Sequence, residues 1–262
     1  MQTLIYSLQN YEINYFKELN HKGLELGFTD KSLNAETVDL AKGFEAVSCF
    51  VLDCLDESIL KKLKDYGIKL IALRSAGFDH VDLQAAKKLG LVVVRVPAYS
   101  PHAVAEFTIA LILMLIRKLD LALQQSKSHN FCLENLMGEN LSNKTVGIIG
   151  TGHIGSIVAK ILSGFGCQLL AYDLIKNPLC IDLGVCYVDQ ETLLKQADII
   201  SLHCPLTNDN HHLINSETLK KIKLSALLIN TARGGLIDTS AVITALKEKK
   251  LAGLAIDVYE QE

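Results

Sequence analysis

The sequence has 262 residues, of which 49% are apolar and 21% charged, and its formal net charge is −3. This composition supplies enough apolar surface for substantial cores and excludes a disordered chain. Lys and Arg are dispersed and slightly outnumbered by Asp and Glu, so the sequence does not favour a nucleic-acid surface. We therefore expect local geometry, not the overall charge, to hold any anionic ligand.

Short β-branched runs alternate with helical patterns along the first hundred residues. Strands are predicted at TLIYSL, AVSCFVL, KLIALRS and LVVVRVP, and helices at YFKELNHKG, ESILKKLKDYG and VDLQAAKKLG. This rhythm predicts a parallel sheet covered by helices. Pro97 and Pro101 then bracket a turn or loop. We place a domain boundary there, which gives domains 1–100 and 101–262.

A long helix is predicted from about Ala103 to Gln125, followed by an irregular stretch. Its apolar part, from Phe107 to Ile116, is too short for a membrane span. An almost wholly apolar helix in a water-soluble protein must be covered on all sides. Domain packing or a second copy of the chain could cover it.

A second rhythm begins near residue 145. Strands are predicted at TVGIIG, QLLAYD, DIISLHCP, ALLINTA and LAGLAIDVY, with helices between them. The alternation predicts a second α/β domain with a parallel sheet. A glycine fingerprint follows the opening strand in this half of the chain and not in the first half.

The fingerprint is Gly150-Thr-Gly152-His-Ile-Gly155, placed directly after a strand and at the start of a helix. Gly150 permits the tight turn, Gly152 lets a diphosphate approach the backbone, and Gly155 lets helix and strand pack closely. The helix N-terminus supplies N–H donors and partial positive charge. Asp173 ends the next strand, where its carboxylate can bind the adenosine ribose and repel a 2′-phosphate. The pattern predicts NAD rather than NADP, against the alternative of a structural glycine turn with a surface Asp.

An arginine follows the strand in LLINTARGGLID. Ligands of open parallel sheets sit beyond the carboxyl ends of the strands, so Arg233 is predicted to face the crevice. Its guanidinium can hold a carboxylate through two parallel hydrogen bonds. Taken alone, the stretch would favour a surface arginine in a turn.

The motifs HCPLTNDNHHLIN, NTARGGLID and AIDVYEQE, in this order after the glycine loop, resemble the NAD-dependent D-2-hydroxyacid dehydrogenases. The stretch LRSAGFDHVDLQAAKKLGLVVVRVPAYSPHAVAEFT is similar to the D-lactate dehydrogenase branch. The resemblance covers essentially the whole chain. It implies two doubly wound α/β domains, a flavodoxin-like substrate domain and a Rossmann NAD-binding domain, with the C-terminal part of the family fold absent. It also implies a homodimer built largely on the helix from about Ala103.

The resemblance assigns roles residue by residue. Arg233 matches the substrate-binding arginine, Glu262 the catalytic acid, and Asp257 the residue that holds the nicotinamide carboxamide. Tyr99 matches an aromatic residue over the substrate. The remaining matches are the substrate-carboxylate loop Ala76, Gly77 and Phe78, and the NAD contacts His153, Ile154, Asp173, Cys204, Pro205, Asn210, Thr231, Ala232 and Arg233.

The implied reaction is hydride transfer from NADH to the C2 carbonyl of a 2-oxo acid, most simply pyruvate to D-lactate. In the family a histidine, stabilised in its charged form by the glutamate matched by Glu262, supplies the proton. That histidine is expected after Glu262, so we expect this chain to be a truncation that binds NADH and turns over poorly or not at all. None of its eight histidines is expected to have a matched acid. The alternatives are a dehydrogenase for a bulkier D-2-hydroxy acid and a catalytically inactive NAD-binding truncation.

Seven cysteines lie mostly in apolar runs and form no CxxC pair, which predicts reduced core thiols rather than disulfides or a zinc site. No metal is therefore expected. The start of the sequence lacks an export pattern, so we expect a cytoplasmic protein that binds neither membrane nor nucleic acid.

Overall fold

The structure of the chain is a computed structural model that describes residues 1–19, 24–97 and 100–260. The chain divides into two units, Met1–Tyr99 and Ser100–Glu262. Each unit has its own sheet and its own apolar core, and each is described by itself.

The first unit is built on five parallel strands in the order β2-β1-β3-β4-β5. The strands are β1 Gln2–Ile5, β2 Glu25–Phe28, β3 Ala46–Cys49, β4 Leu70–Leu73 and β5 Val92–Arg95. The helices are α1 Ile13–Leu19, α2 Glu57–Asp65 and α3 Leu83–Leu89, with a 3-10 turn at Val38–Ala41.

Local chemistry sets the helix boundaries of this unit. The Asp56 carboxylate accepts the Ile59 N–H at the start of α2, and the Asp82 carboxylate accepts the Ala85 N–H at the start of α3. Such caps satisfy donors that the first helical turn leaves unpaired. Helix α3 ends at Gly90, whose φ of 65° suits glycine.

The second unit is built on six parallel strands in the order β11-β10-β9-β6-β7-β8. The strands are β6 Thr145–Ile149, β7 Gln168–Tyr172, β8 Cys186–Tyr187, β9 Ile199–Leu202, β10 Leu227–Asn230 and β11 Gly253–Ile256. The helices are α4 Pro101–Ile116, α5 Leu119–Lys127, α6 His153–Gly164, α7 Pro178–Asp182, α8 Gln190–Gln196, α9 Ser216–Leu219 and α10 Thr239–Lys247.

At β6 the sheet changes the side on which successive strands are added. From β6 the chain builds β7 and β8 on one side, then crosses to β9 on the other side. This topological switch point leaves a crevice at the carboxyl ends of β6 and β9, where ligands bind in open α/β sheets. The two parallel sheets confirm the predicted α/β class.

The single helix predicted over residues 103–125 is wrong. Helix α4 ends at Ile116, and α5 begins after Lys118, whose φ is 52°. The Ile116 carbonyl accepts the Glu139 N–H at 2.9 Å, and a Cβ on Gly138 would lie 2.7 Å from that carbonyl. The irregular stretch after α5 thus packs against the end of α4 and takes the hydrogen bond that would continue the helix.

Helix α4 buries one face, with Ala105, Thr108 and Ile112 inaccessible to solvent. Phe107 and Met114 are exposed on this unit. Among the residues that the structure describes, no helix has both the length and the apolar character needed to cross a membrane.

The cysteines are less buried than their apolar runs predict. All seven are free, but Cys54, Cys132 and Cys186 are exposed, and only Cys49 and Cys180 are fully buried. Cys54 and Cys132 lie in loops, and Cys186 lies on the short edge strand β8, so an apolar neighbourhood in sequence does not place these side chains in a core.

A buried carboxylate fastens the carboxyl edge of the first sheet. Asp53 is 1% exposed and accepts hydrogen bonds from the Ser7 hydroxyl at 2.6 Å, the Leu33 N–H at 2.7 Å and the Phe50 N–H at 2.6 Å. These donors follow β1, β2 and β3, so one side chain joins three loops. A charge at this depth is tolerated because its oxygens are hydrogen-bonded.

Replacing Asp53 with Ala should leave these buried donors without an acceptor. We expect the first unit to lose about 2–5 kcal/mol of unfolding free energy, because unsatisfied buried groups and lost charged hydrogen bonds act together. Urea unfolding followed by circular dichroism measures the change. The exposed Asp30→Ala is the matched control. Equal stability of the two variants would contradict the role given to Asp53.

Candidate functional site

Five segments of the second unit meet at one edge of its sheet. They follow β6, β7, β9, β10 and β11, and because these strands are parallel, their carboxyl ends share that edge. The predicted residues of the second unit that the structure describes lie on these segments or at the start of α6.

The glycine loop after β6 leaves no room for side chains at two positions. Gly150 has a φ of 94°, and a Cβ there would lie 2.6 Å from the Cys204 backbone N. A Cβ on Gly155 would lie 2.0 Å from the Gly150 carbonyl oxygen. Gly152 differs, because a Cβ there would meet nothing within 4 Å. Open space in front of this backbone is the feature that an approaching ligand requires.

Helix α6 points its N-terminus into the same place. It begins at His153 immediately after Gly152 and runs for 12 residues. The Gly152 N-cap has no side chain to satisfy the first N–H groups, and the first turn has no acidic residue. His153 is exposed and Ile154 is half-buried. A helix N-terminus without a neutralising carboxylate or a side-chain cap has the partial positive charge and N–H donors that anions favour.

Asp173, which follows β7, supports the glycine loop. Its Oδ2 accepts the Thr151 N–H at 2.5 Å and the Thr151 hydroxyl at 3.0 Å. Its Oδ1 accepts the Ile175 N–H at 3.2 Å. The ribose role predicted for Asp173 takes no account of this second role, which fixes the distance between the loop and the carboxylate.

Two further residues, which were not predicted from the sequence, complete this network. The Tyr187 hydroxyl donates to the Thr151 hydroxyl at 2.9 Å and accepts the Asn177 N–H at 2.9 Å. The Asn177 amide donates to the Thr151 carbonyl at 2.7 Å. Burial raises the pKa of Tyr187, which keeps its hydroxyl protonated and able to donate. The contacts of Asn177 and Tyr187 with Thr151 span 26 and 36 positions of the chain, so no local motif could reveal them.

The segment after β9 forms a neutral wall beside the glycine loop. His203 Nε2 lies 2.8 Å from the Ser201 hydroxyl, and burial lowers the pKa of His203 to about 4. Burial raises the pKa of Cys204 to about 11. Both side chains are therefore uncharged near neutral pH, and no thiolate opposes an anion at the loop.

Asn210 holds the rest of this segment together. Its amide donates to the Pro205 carbonyl at 2.7 Å, and its Oδ1 accepts the Thr207 N–H at 2.7 Å. The amide nitrogen also lies 3.8 Å from the Cys204 sulfur. In this structure Asn210 shapes the loop that carries Cys204 and Pro205.

A buried asparagine fixes the turn that carries Arg233. Asn230 is fully buried; its Oδ1 accepts the Ala232 N–H at 3.0 Å and its Nδ2 donates to the Arg233 carbonyl at 2.8 Å. The Thr231 and Thr108 hydroxyls lie 2.9 Å apart, which ties the turn to α4. Arg233 itself is half-buried and donates to the Ala232 carbonyl at 2.8 Å. Asn230 and Thr108 were not predicted from the sequence.

The segment after β11 packs directly on this turn. The Asp257 N–H donates to the Asn230 carbonyl at 3.0 Å, and the Asp257 side chain is exposed. A Cβ on Gly234 would lie 1.8 Å from the Tyr259 carbonyl oxygen. Glycine is therefore required where these two backbones touch. Glu262, the predicted catalytic acid, lies outside the described residues.

One histidine of the second unit, His212, has an acidic partner that the sequence did not indicate. His212 Nε2 lies 2.5 Å from a Glu260 carboxylate oxygen. The two residues are 48 positions apart, and only the folded loops bring them together.

In the first unit, the predicted loop Ala76 to Phe78 follows β4. The Ser75 hydroxyl donates to the Gly77 carbonyl at 2.7 Å, and the Arg95 guanidinium donates to the Ala76 carbonyl at 2.9 Å. Phe78 is exposed, with the Arg95 guanidinium carbon 5.2 Å from its ring centroid. Tyr99 lies outside the described residues.

Residues 109–262 match the family model for the D-isomer specific 2-hydroxyacid dehydrogenase, NAD binding domain. Over 263 aligned residues the chain is 47% identical to the D-lactate dehydrogenase of Escherichia coli (strain K12), covering 100% of this chain and 80% of that protein. The apo structure of D-lactate dehydrogenase from Escherichia coli superposes with a TM-score of 0.92, covering 100% of this chain and 83% of that one.

Another similar solved structure contains bound ligands. The D-lactate dehydrogenase from Aquifex aeolicus, solved in complex with NAD and lactic acid, is 39% identical, with a TM-score of 0.89 over 99% of this chain and 77% of that chain.

The open space at Gly152 generates a sharp prediction. Gly152→Ala should fold normally, since its Cβ meets no protein atom, but should bind NADH about tenfold or more weakly because the methyl group occupies the diphosphate's path. Calorimetric titration with NADH measures this. Gly164→Ala, at the far end of α6 and equally unobstructed, is the control. An unchanged NADH affinity in Gly152→Ala would contradict diphosphate binding at this loop.

Proposed function

Because the chain belongs to the D-isomer specific 2-hydroxyacid dehydrogenase family, whose NAD-binding domain it carries, we propose that it is a D-lactate dehydrogenase. The reaction takes pyruvate, NADH and a proton to D-lactate and NAD. The identities of 47% to the Escherichia coli enzyme and to its solved structure support pyruvate as the substrate.

The proposed cofactor contacts follow from the loop geometry. The diphosphate lies over Gly150, Gly152 and Gly155, where the α6 N-terminus offers N–H donors and partial positive charge. His153 and Ile154 flank it at the start of the helix. Asp173 accepts hydrogen bonds from the adenosine ribose, with its carboxylate already oriented by Thr151.

Arg233 is the proposed substrate anchor, and its placement is the observation that carries the assignment. The turn at the carboxyl end of β10 is fixed from both sides by the buried Asn230. A guanidinium held there can bind the substrate carboxylate with two parallel hydrogen bonds. The same planar cation polarises the neighbouring C2 carbonyl for hydride attack.

Further proposed contacts rest on the family resemblance. Asp257 holds the nicotinamide carboxamide, and Glu262 stabilises the charged form of the histidine that gives the proton to the carbonyl oxygen. The others are the cofactor contacts Cys204, Pro205, Asn210, Thr231 and Ala232 and the substrate contacts Ala76, Gly77, Phe78 and Tyr99.

A homodimer is proposed from apolar surface on the second unit. Several large apolar side chains of α4, α5 and the stretch after them are exposed in the single chain, and a second copy would remove them from water. They are Phe107, Met114, Leu119, Leu123, Phe131, Leu133 and Met137. A cytoplasmic location is proposed as well, because free cysteines are usual in reducing compartments.

The substrate role of Arg233 is tested with oxamate, an unreactive analogue of pyruvate, so that no proton transfer is needed. Oxamate should bind the NADH complex, and Arg233→Lys should weaken this binding roughly 10–100-fold because an ammonium cannot reproduce the planar fork. NADH affinity should stay nearly unchanged. Calorimetry on both variants provides the numbers.

The exposed Arg117→Lys is the matched control for this substitution. Equal oxamate affinity in Arg233→Lys and the parent would reject Arg233 as the anchor. Displacement of oxamate by 4-methyl-2-oxopentanoate more readily than by pyruvate would favour the bulkier D-2-hydroxy acid.

Cofactor choice depends on the Asp173 charge. The parent should bind NADH more tightly than NADPH. In Asp173→Asn the ratio of NADH affinity to NADPH affinity should fall by about tenfold or more, because a neutral amide no longer repels the 2′-phosphate. The amide oxygen can still accept the Thr151 N–H, which preserves the loop. Paired titrations of the two cofactors, with the exposed Asp182→Asn as control, decide the point. Equal affinity of the parent for both cofactors would contradict it.

A further inference from the structure

Three potential metal ligands cluster at the edge of the second unit. His211 and His212 lie in the segment after β9, and Glu260 lies after β11. One ligand atom from each residue can be chosen so that all three lie within 4.8 Å of one another. His211 and Glu260 are exposed and His212 is half-exposed, so an ion from solvent can reach them.

The backbone places the two adjacent imidazoles side by side. His212 has a φ of 53°, and the ring centroids of His211 and His212 are 3.9 Å apart at an interplanar angle of 31°. Adjacent residues of an extended chain would point to opposite sides. The His212 N–H donates to the Gly235 carbonyl at 2.8 Å, and the His212 carbonyl accepts from the Asn215 amide at 2.9 Å. The pair is therefore held from both ends.

The carboxylate is equally well placed. One Glu260 oxygen lies 2.5 Å from His212 Nε2, and the other accepts the Thr239 N–H at 3.2 Å. The contact of Gly234 with Tyr259 fixes the backbone just before Glu260.

We propose that His211, His212 and Glu260 bind a Zn²⁺ ion through two imidazole nitrogens and one carboxylate oxygen. With metal–ligand bonds of about 2.0–2.2 Å, ligand atoms of a tetrahedral site are about 3.3 Å apart. To reach this separation, the distance from His212 Nε2 to the Glu260 oxygen must lengthen by less than about 1 Å. The ligand nitrogen of His211 must move closer to both of these atoms. A water molecule fills the fourth position.

The donor set selects the metal. Imidazole suits zinc and its transition-metal neighbours, whereas Mg²⁺ and Ca²⁺ require mostly oxygen ligands. Binding needs both imidazoles unprotonated, so protons compete with the ion and affinity falls in acid.

Zinc at this place would join the loops beside the substrate anchor, a consequence that rests on the proposed function. Gly234 and Gly235 follow Arg233, and a Cβ on Gly235 would lie 3.5 Å from the His211 ring. Glu260 precedes Glu262 by two positions. The ion therefore cross-links the segments that lead to Arg233 and to the predicted catalytic acid, and it should raise the melting temperature of the chain.

The test measures Zn²⁺ affinity of the 262-residue chain by competition with a chromogenic chelator, without NADH or substrate. Exposed thiols also bind zinc, so Cys54, Cys132 and Cys186 are first replaced by Ser. We expect one equivalent of Zn²⁺. His211→Gln, which leaves the His212–Glu260 hydrogen bond intact, should bind about 100-fold or more weakly, since even supporting partners of a ligand contribute 10–100-fold.

Two further variants make the outcome decisive. Glu260→Gln keeps the shape of the side chain and should weaken zinc binding as His211→Gln does. His129→Asn, at an exposed histidine outside the cluster, should bind as tightly as the parent. Equal affinity in all variants, or no binding by the parent, would overturn the proposal and leave His212 and Glu260 as a hydrogen-bonded pair only.

The result is separable from that of the proposed function. Zinc binding without oxamate binding would reject only the substrate assignment. Oxamate binding without zinc binding would reject only the metal site. The melting temperature of the parent should rise with Zn²⁺ and that of Glu260→Gln should not.

Discussion

The second unit depends on one tight backbone turn at the centre of its sheet. Gly155 approaches the Gly150 carbonyl so closely that a Cβ would lie 2.0 Å from it, and Gly150 presses on the backbone of the neighbouring segment. This packing brings the first turn of α6 up to the carboxyl end of β6. The proposed diphosphate site, the position of Asp173 and the neutral wall at Cys204 all follow from that geometry.

A second contact positions the proposed substrate anchor, as the glycine turn positions the proposed cofactor loop. The buried Asn230 holds both ends of the turn before Arg233, and Gly234 allows the backbone at Tyr259 to touch that turn. The neighbouring β10 and β11 therefore present their loops as one structure. A small change in this packing would move Arg233 relative to the proposed nicotinamide position, and small errors in the orientation of reacting groups lower the reaction rate.

The features that could be predicted from the sequence are local. Strand runs, the glycine turn and the arginine after β10 follow from periodicity, from φ angles that only glycine adopts readily, and from parallel topology. The missed features depend on distant partners. The break at Lys118 is imposed by Gly138 and Glu139, the Tyr187 support of Thr151 spans 36 positions, and the short strands β2 and β8 form only by pairing at sheet edges.

Amide hydrogen exchange with and without NADH can show whether the cofactor binds at the glycine loop, because it locates the cofactor without requiring turnover. We expect NADH to slow exchange in peptides that cover residues 150–155 and to give smaller protection around Asp173 and Cys204. The sheet core should be unchanged, since its amides are already protected. NADH binding that leaves the 150–155 peptides unprotected, or that protects only the first unit, would show that NADH does not bind at the glycine loop.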